Sequence, residues 1–240
     1  MRVPLHPCYI LHQRDYRETS KLLEVFSSVH GRISLVARGV RRKGFRDKYL
    51  LQISRKLDVA WSIRGEMGTM TGIEAGYHSL ELHGRWLMSV FYINELLLRL
   101  LHRHEAHPQL FTAYERTLDS LYNRENEEQV LRSFEIDLLK TLGYGLVLDH
   151  AVDTGKTVMP ECEYYYRINH GPLERDIPGE ELFPVSGATL IELERGKLET
   201  ARTMRQAKQI MRSTINSHLG NKLLLSREMY QAYLGISSAE

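Results

Sequence analysis

The sequence has few cysteines and no long apolar run, and residues 1–8 lack a continuous apolar core. Its two cysteines, Cys8 and Cys162, are too few for a disulfide framework or a four-cysteine metal site, which favours a reducing, cytoplasmic compartment. No stretch approaches the roughly 18 to 20 apolar residues that cross a bilayer, so we expect no membrane segment. Because Pro4 and Pro7 interrupt residues 1–8, we also expect no secretion signal.

Motifs of catalytic and nucleotide-binding sites are missing as well. Gly155-Lys156-Thr157 ends like a phosphate-binding P-loop, but His150 stands where that loop needs a glycine. His102, His104 and His107 lack the carboxylate and the spacing of a zinc-protease motif. The sequence therefore predicts a protein that is not an enzyme and that needs neither a metal nor a cofactor.

The net charge is small, but the charges are unevenly distributed. The formal charge is +2 at pH 7. Residues 1–80 contain 14 lysines and arginines against 7 acidic residues, whereas the remainder contains 18 against 23. A basic first third and a mildly acidic remainder predict two parts with different roles.

Residues 1–80 are predicted to form a small β-barrel. Apolar or alternating runs that are typical of strands occur at 8–11, 22–26, 32–37, 57–63 and 70–75, and residues 27–31 resemble a hairpin turn. Five short strands are the inventory of an OB-fold. A five-stranded SH3-like barrel would give nearly the same pattern.

From residue 81 onwards the apolar period becomes helical. Helices are predicted at 86–101, 110–122, 130–142, 187–195, 203–219 and 226–234. Four prolines fall within 146–185, which we expect to be irregular. The predicted fold class is α+β, with a five-stranded OB-fold barrel in a DNA-binding domain at 1–80, followed by an all-helical domain at 81–240 that carries the irregular insertion.

The strongest binding signal is a basic loop after the third strand. Clustered cations bind phosphate backbones because each neutralised phosphate releases counterions, and we expect Phe45 or Tyr49 to stack on a base. The candidate DNA-binding residues are Arg32, Arg38, Arg41, Arg42, Lys43, Arg46 and Lys48, with Arg14 and Arg17 from the first loop. A solvated loop without a ligand is the alternative.

Two further groups allow more than one interpretation. Arg202, Arg205, Lys208 and Arg212 lie on one helical face, which extends the DNA path, binds an acidic partner or is simply solvated. We include Arg205, Lys208 and Arg212 among the DNA-binding candidates. For Tyr164-Tyr165-Tyr166, strand packing is favoured over stacking on bases.

Several short segments, taken in order and spacing, resemble the RecO family of bacterial recombination mediators. The segments are Leu11-His12-Gln13-Arg14, Glu18-Thr19-Ser20, Val25-Phe26, Gly31-Arg32, Leu35-Val36-Ala37-Arg38-Gly39, Tyr92-Ile93-Asn94-Glu95-Leu96-Leu97, Arg132 with Phe134-Glu135, Leu142-Gly143-Tyr144-Gly145, Leu219-Gly220 with Lys222, and Ser226-Arg227-Glu228. The resemblance covers essentially the full length and is nearest to the proteobacterial branch.

The resemblance implies a DNA-repair function in the RecF pathway. RecO-like proteins have an OB-fold and a helical domain, bind single- and double-stranded DNA and anneal complementary strands without a cofactor. They work with RecR, and in some pathways RecF, to load RecA onto DNA coated by the single-strand binding protein SSB, whose acidic C-terminal tail they contact. A cytoplasmic, nucleoid-associated location follows.

Two local expectations depend on this resemblance. Many members carry a four-cysteine zinc site after the Gly-Tyr-Gly segment, but His150 and Asp153 stand where the first cysteine pair is expected, so we expect no zinc. An acidic tail with an apolar end needs an apolar groove beside a cation, for which Leu131 and Arg132 are the candidates. A solvated helix charge is the alternative for Arg132.

Two other classes of function stay open from the residues alone. The chain would be a scaffold if the barrel bound protein and the basic loop were incidental. A nuclease or nucleotide-dependent transferase would need a catalytic carboxylate, and the sequence does not indicate one.

Overall fold

The barrel that the sequence predicts is present and closed. The computed structural model describes residues 1–63, 65, 67–76, 82–220 and 222–235, and of Arg46 the backbone alone. Its first five strands are β1 (Arg2–Tyr16), β2 (Ser20–Ser27), β3 (Gly31–Ala37), β4 (Lys56–Ile63) and β5 (Gly68–Ala75). They close in the order β1-β2-β3-β5-β4, with β3 parallel to β5 and β1 antiparallel to β4. This is the strand order of the OB-fold, so the SH3-like alternative is set aside.

Strand β1 is longer than the sequence suggested, because it pairs along both of its edges. The apolar run predicts a strand at 8–11 only, ending at the polar residues 13–15. In the barrel β1 follows β4 and then β2, and its register with β4 shifts between Val3 and His6, around Pro4. Prolines are tolerated at such irregularities because no ladder hydrogen bond is lost there.

Alternating side chains fill the barrel, and the outer face of β2 is covered by a helix. Leu23 and Val25 lie in the barrel core with Trp61 of β4. The opposite face of β2 carries Phe26, whose ring lies 5.4 Å from that of Phe111. Burial on both faces explains why β2 has a continuous apolar run instead of a strict alternation.

Two helices after the barrel and one near the C-terminus complete the first compact unit. They are α1 (Arg85–Leu100), α2 (Pro108–Tyr122) and α6 (Leu225–Tyr233), numbered in chain order. The first unit comprises residues 1–125 with 224–240, so these helices group with the barrel by their contacts. The predicted boundary at residue 80 lies outside the described residues, and separate domains at 1–80 and 81–240 stay a prediction.

The second compact unit, residues 126–223, contains three helices and a small sheet. The helices are α3 (Glu127–Thr141), α4 (Gly187–Glu194) and α5 (Ala201–Leu219). The strands are β6 (Glu163–Arg167), β7 (Gly171–Leu173) and β8 (Phe183–Ser186), in the order β7-β6-β8. The expectation of an all-helical domain with an irregular insertion therefore missed a three-stranded sheet, because strands of three to five residues between prolines carry too little periodicity to be read.

Helices α3 and α5 begin two or three residues before the predicted starts, because their first turns are polar. The apolar period predicts that α3 begins at residue 130, but the side chain of Asn126 accepts from the Gln129 N–H at 3.1 Å and the helix begins at Glu127. Helix α5 begins after Thr200, which forms a capping box with Thr203, and ends at Gly220 in the left-handed conformation. Within the part of the chain that is described, no helix is long and apolar enough to cross a membrane.

Candidate nucleic-acid interface

A wide cleft opens on one side of the barrel, in the first compact unit. Its volume is about 1150 Å³. It is lined by residues 16–20 at the β1–β2 turn, by Val36 near the end of β3 with Arg38 and Gly39 after it, and by residues 67–69 at the start of β5. These are the strand 2–3 face and the two loops through which OB-folds bind oligonucleotides.

Four arginines line this cleft, and three of them belong to the predicted basic group. Arg17 lies on the β1–β2 turn, Arg38 directly follows β3, and Arg42 lies on the loop beyond. Among the described residues, Arg38 and Arg42 form no ion pair, and Glu18 is the one acidic residue in the lining. The cleft therefore has a surplus of positive charge with guanidinium groups open to solvent.

The turn that carries Arg17 is held in an unusual conformation. Arg17 has a φ of 54°, in the left-handed region that non-glycine residues rarely adopt. Its guanidinium lies 5.2 Å from the centroid of the Tyr16 ring, which also lines the cleft. The two side chains thus form one amphipathic wall of aromatic ring and cation.

Arg41 lies between the basic loop and the first turn instead of lining the cleft. Its guanidinium is 3.2 Å from Asp15 and donates to the carbonyl of Arg17 at 3.3 Å. Its backbone N–H donates to the carbonyl of Thr19. Arg41 thereby ties the basic loop to the β1–β2 turn, and Asp15 offsets part of its charge.

The remaining barrel candidates divide into exposed and buried side chains. Arg14, Lys43 and Lys48 are exposed but do not line the cleft, and the side chain of Arg46 lies outside the described residues. The side chain of Arg32 is only 16 % exposed, and its guanidinium donates to the carbonyl of Leu98 in α1 at 2.8 Å. Burial lowers the pKa of Arg32, Glu24 opposes that shift, and Arg103 adds to it. Arg32 therefore joins the barrel to α1 and is not available as a surface contact. The sequence did not reveal this role, because Arg32 lies close to the basic run.

The aromatic residues of the basic loop have different surroundings. Phe45 packs against the barrel core, so the expectation that it stacks on a base is unsupported. Tyr49 is 59 % exposed, and the guanidinium of Arg55 lies 5.7 Å from its ring centroid. Stacking on a base stays a prediction for Tyr49.

The predicted helical stripe lies on α5, in the second compact unit. Arg205, Lys208 and Arg212 are all exposed. Lys208 pairs with Glu128 at 2.9 Å, and the neighbouring Arg202 pairs with Glu163 at 2.7 Å. Acidic partners therefore offset half of the stripe.

The two residues predicted to hold the SSB tail lie on α3. Leu131 is partly exposed, whereas the side chain of Arg132 is only 11 % exposed and donates to Glu135 at 2.6 Å. Glu135 is fully buried, so Arg132 compensates an interior charge. The alternative of a solvated helix charge at Arg132 is therefore wrong, and tail binding stays a prediction.

The segment around His150 and Asp153, for which we expect no zinc, is held by hydrogen bonds. Both carboxylate oxygens of Asp153 accept from the Glu174 N–H, at 3.1 and 3.2 Å, and Nδ1 of His150 lies 2.8 Å from Asp149. These groups do not fit a four-thiolate zinc site, and no cluster of three or more ligand residues occurs in the described ranges. Tyr164 and Tyr166 are buried in the same subdomain, which agrees with the packing interpretation.

The sequence did not indicate one of the four arginines of the cleft. Arg103, on the connection between α1 and α2, is the fourth arginine of the lining. It stands alone between His102 and His104, outside any basic run. Only the packing of this connection against the barrel brings it to the cleft.

Comparison with known proteins assigns the chain to a family. A family model described as Recombination protein O N terminal matches residues 1–76, and one described as Recombination protein O C terminal matches residues 85–228. Proteins named DNA repair protein RecO are similar to it: that of Methylococcus capsulatus is 42 % identical over 96 % of this chain and 94 % of its own length. The protein of the same name from Nitrosococcus oceani is 42 % identical over 96 % and 94 %, and that of Cellvibrio japonicus 40 % over 96 % and 98 %. Since both family models and these relatives together cover nearly all of the chain, it belongs to the RecO family.

Proposed function

We propose that this protein acts in DNA repair and homologous recombination by binding DNA in the barrel cleft. The observation that carries the proposal is the set of solvent-open guanidinium groups of Arg17, Arg38 and Arg42 on the OB-fold face that commonly binds oligonucleotides. Guanidinium groups bind phosphate with bidentate geometry and keep their charge at all accessible pH values. Relatives with the name DNA repair protein support the biological role.

The proposed binding is insensitive to base sequence. Phosphate contacts position a protein on DNA but do not read bases, and an aromatic ring such as that of Tyr16 accepts any base. We infer that single- and double-stranded DNA both bind. Complementary strands anneal because a cationic surface that holds two strands lowers their mutual repulsion, and no catalytic step or cofactor is needed.

The proposed partners follow from the family. With RecR, and in some pathways RecF, the protein would help to load RecA onto single-stranded DNA coated by SSB, in the cytoplasm. We keep Leu131 and Arg132 as the proposed site for the acidic SSB tail. Because the charge of Arg132 is paired with Glu135, an incoming carboxylate would have to share or replace that partner.

A salt titration with matched variants tests the cleft. Fluorescence anisotropy with a labelled single-stranded oligonucleotide, between 50 and 200 mM salt, gives the slope of log K against log salt, in the range where such slopes are roughly linear. We expect the double variant Arg38→Ala with Arg42→Ala to bind more weakly and to lose about 0.7 of slope per phosphate contact. Lys197→Ala removes an exposed cation outside the cleft and serves as the control.

Two outcomes would contradict the proposal. One is an unchanged affinity and slope in the double variant. The other is equal losses in the double variant and in Lys197→Ala, which would indicate a general charge effect. Annealing of SSB-coated complementary oligonucleotides without nucleotide, with the same variants, then tests whether the cleft also serves the later step.

A further inference from the structure

The cleft receives its fourth cation, Arg103, from the helical part of the first compact unit. Arg103 lines the cleft with its side chain 47 % exposed, and Glu24 lies behind it. We propose that Arg103 contacts DNA phosphates in the cleft and that Glu24 is the positioning residue that aims it there. This proposal rests on the cleft being the DNA-binding site.

The backbone around Arg103 is fixed to the barrel by direct contacts. Arg103 forms a bridge with Arg32 of β3, and the N–H of His104 donates to the carbonyl of Arg32 at 3.0 Å. Next to it, a Cβ at Gly31 would lie 1.9 Å from the carbonyl oxygen of Glu105. The α1–α2 connection therefore packs against the start of β3 at a distance that only glycine permits. These contacts fix the backbone position of Arg103.

Glu24 fixes the direction of the Arg103 side chain. Its Oε1 accepts from Nη2 of Arg103 at 2.9 Å and from the hydroxyl of Ser34 at 2.5 Å. Glu24 and Ser34 are paired residues on β2 and β3, so both groups of this contact stand on rigid strands. The Glu24 side chain is only 12 % exposed. It can therefore hold the Arg103 guanidinium in place without presenting a surface charge that repels phosphate.

The geometry leaves Arg103 able to bind a ligand. A guanidinium has five N–H donors, and Glu24 receives a bond from Nη2 alone. The half-exposed remainder faces the same space as the other three arginines. A surface carboxylate would only weaken anion binding, but a buried carboxylate behind an arginine restricts its rotamers, so less entropy is lost when phosphate binds.

The test combines variants at both positions with the salt titration. Arg103→Ala is expected to bind single-stranded DNA about fivefold more weakly at 0.1 M salt and to lose about 0.7 of slope, the value for one phosphate contact. Arg103→Lys keeps a charge and should restore most of the slope. Lys197→Ala remains the control for loss of an exposed cation.

Substitutions of Glu24 distinguish a positioning role from a purely electrostatic role, because the two roles predict opposite changes in DNA affinity. Glu24→Gln removes a negative charge, so electrostatics alone predicts tighter binding whether or not Arg103 is present. Positioning predicts weaker binding when Arg103 is present and no weakening in the Arg103→Ala background. Glu24→Asp keeps the charge but withdraws the carboxylate, and should also weaken binding if Glu24→Gln does not fold.

The results distinguish a failure of the Arg103 contact, a failure of the Glu24 positioning role and a failure of the proposed DNA-binding site. If Arg103→Ala matches the control while the Arg38 and Arg42 variant loses affinity, Arg103 is no contact and this inference is overturned. If Glu24→Gln tightens binding, or Glu24→Asp leaves it unchanged, the positioning role is overturned. If no cleft variant changes binding, the failure belongs to the proposed function itself.

Discussion

The hydroxyl of Tyr114 donates a hydrogen bond to Oδ1 of Asn94 over 2.7 Å, and both side chains are buried. The amide of Asn94 in turn donates to the carbonyl of Leu11 over 3.0 Å. One chain of hydrogen bonds therefore joins α2, α1 and β1, and it holds the first two helices against the barrel. Burial raises the pKa of Tyr114, so its hydroxyl stays protonated and able to donate.

We expect Tyr114→Phe to destabilise the protein by about 1 to 3 kcal/mol, because it leaves the buried carbonyl oxygen of Asn94 without this donor. Urea unfolding measured by circular dichroism gives the difference. Tyr122→Phe is the matched control, since the Tyr122 side chain lies exposed at the end of the same helix. Equal stabilities of the two variants would show that the buried bond does not hold the helices to the barrel.

The contact at Gly31 leads to a second prediction. Gly31 has a φ of 65° and abuts the Glu105 backbone, so Gly31→Ala adds left-handed strain of about 1 to 2 kcal/mol to a steric clash. We expect a loss of unfolding free energy of about 2 kcal/mol or more, with weaker DNA binding because Arg103 moves. Gly145→Ala, with ordinary φ and open space around it, should change neither. Wild-type stability of Gly31→Ala would contradict the close packing.

Glu95 connects α1 to the beginning of α6, and we expect its contribution to the stability of the protein to depend on pH. Its carboxylate accepts from the N–H groups of Leu225 and Ser226, at 3.2 and 2.8 Å, and from Arg99. Burial acts to raise the pKa of Glu95, but the hydrogen bonds from Ser226, Arg99 and Leu225 outweigh it and leave the pKa lowered.

A lowered pKa contributes stability that is fully present above the usual pKa of glutamate, about 4.3, and is lost as pH falls through the lower folded value. We therefore expect Glu95→Gln to be less stable than the wild type at pH 7, with the difference shrinking below about pH 4. Chemical unfolding over a pH series measures this, and hydrogen exchange at residues 225–235 localises it. A difference independent of pH would rule out the carboxylate's charge as its cause.

Arg132 requires a stability control before any binding result is interpreted. Arg132→Ala leaves the buried Glu135 carboxylate without its guanidinium, and we expect a loss of about 3 kcal/mol. The double variant Arg132→Ala with Glu135→Gln removes the buried charge and should recover part of that loss. If an SSB-tail peptide binds the restored double variant as it binds the wild type, the tail site lies elsewhere.

Much of the fold and the outline of the site could be predicted from the sequence. The strands at 22–26 and 32–37 and the helices after residue 85 were predicted correctly because their apolar patterns follow local burial against a core. Arg38 and Arg42 could be found because like charges clustered in one loop are visible along the chain, and Arg17 because it lies in a short basic turn between two predicted strands. The β6–β8 sheet was missed because its strands are shorter than a readable period.

The sequence by itself determined the barrel, the helices, the RecO resemblance and the excess of positive charge in the first third. Only the tertiary structure decided which cations face a common space. It placed Arg32 in a buried contact, tied Arg41 to Asp15, paired Arg132 with Glu135 and brought Arg103 to the cleft from a different segment. The physical reason is that a charged side chain can bind a ligand only if no nearer group pairs with it. The partners of Arg32 and Arg41 are distant in sequence, and the burial of Glu135 beside Arg132 depends on tertiary packing.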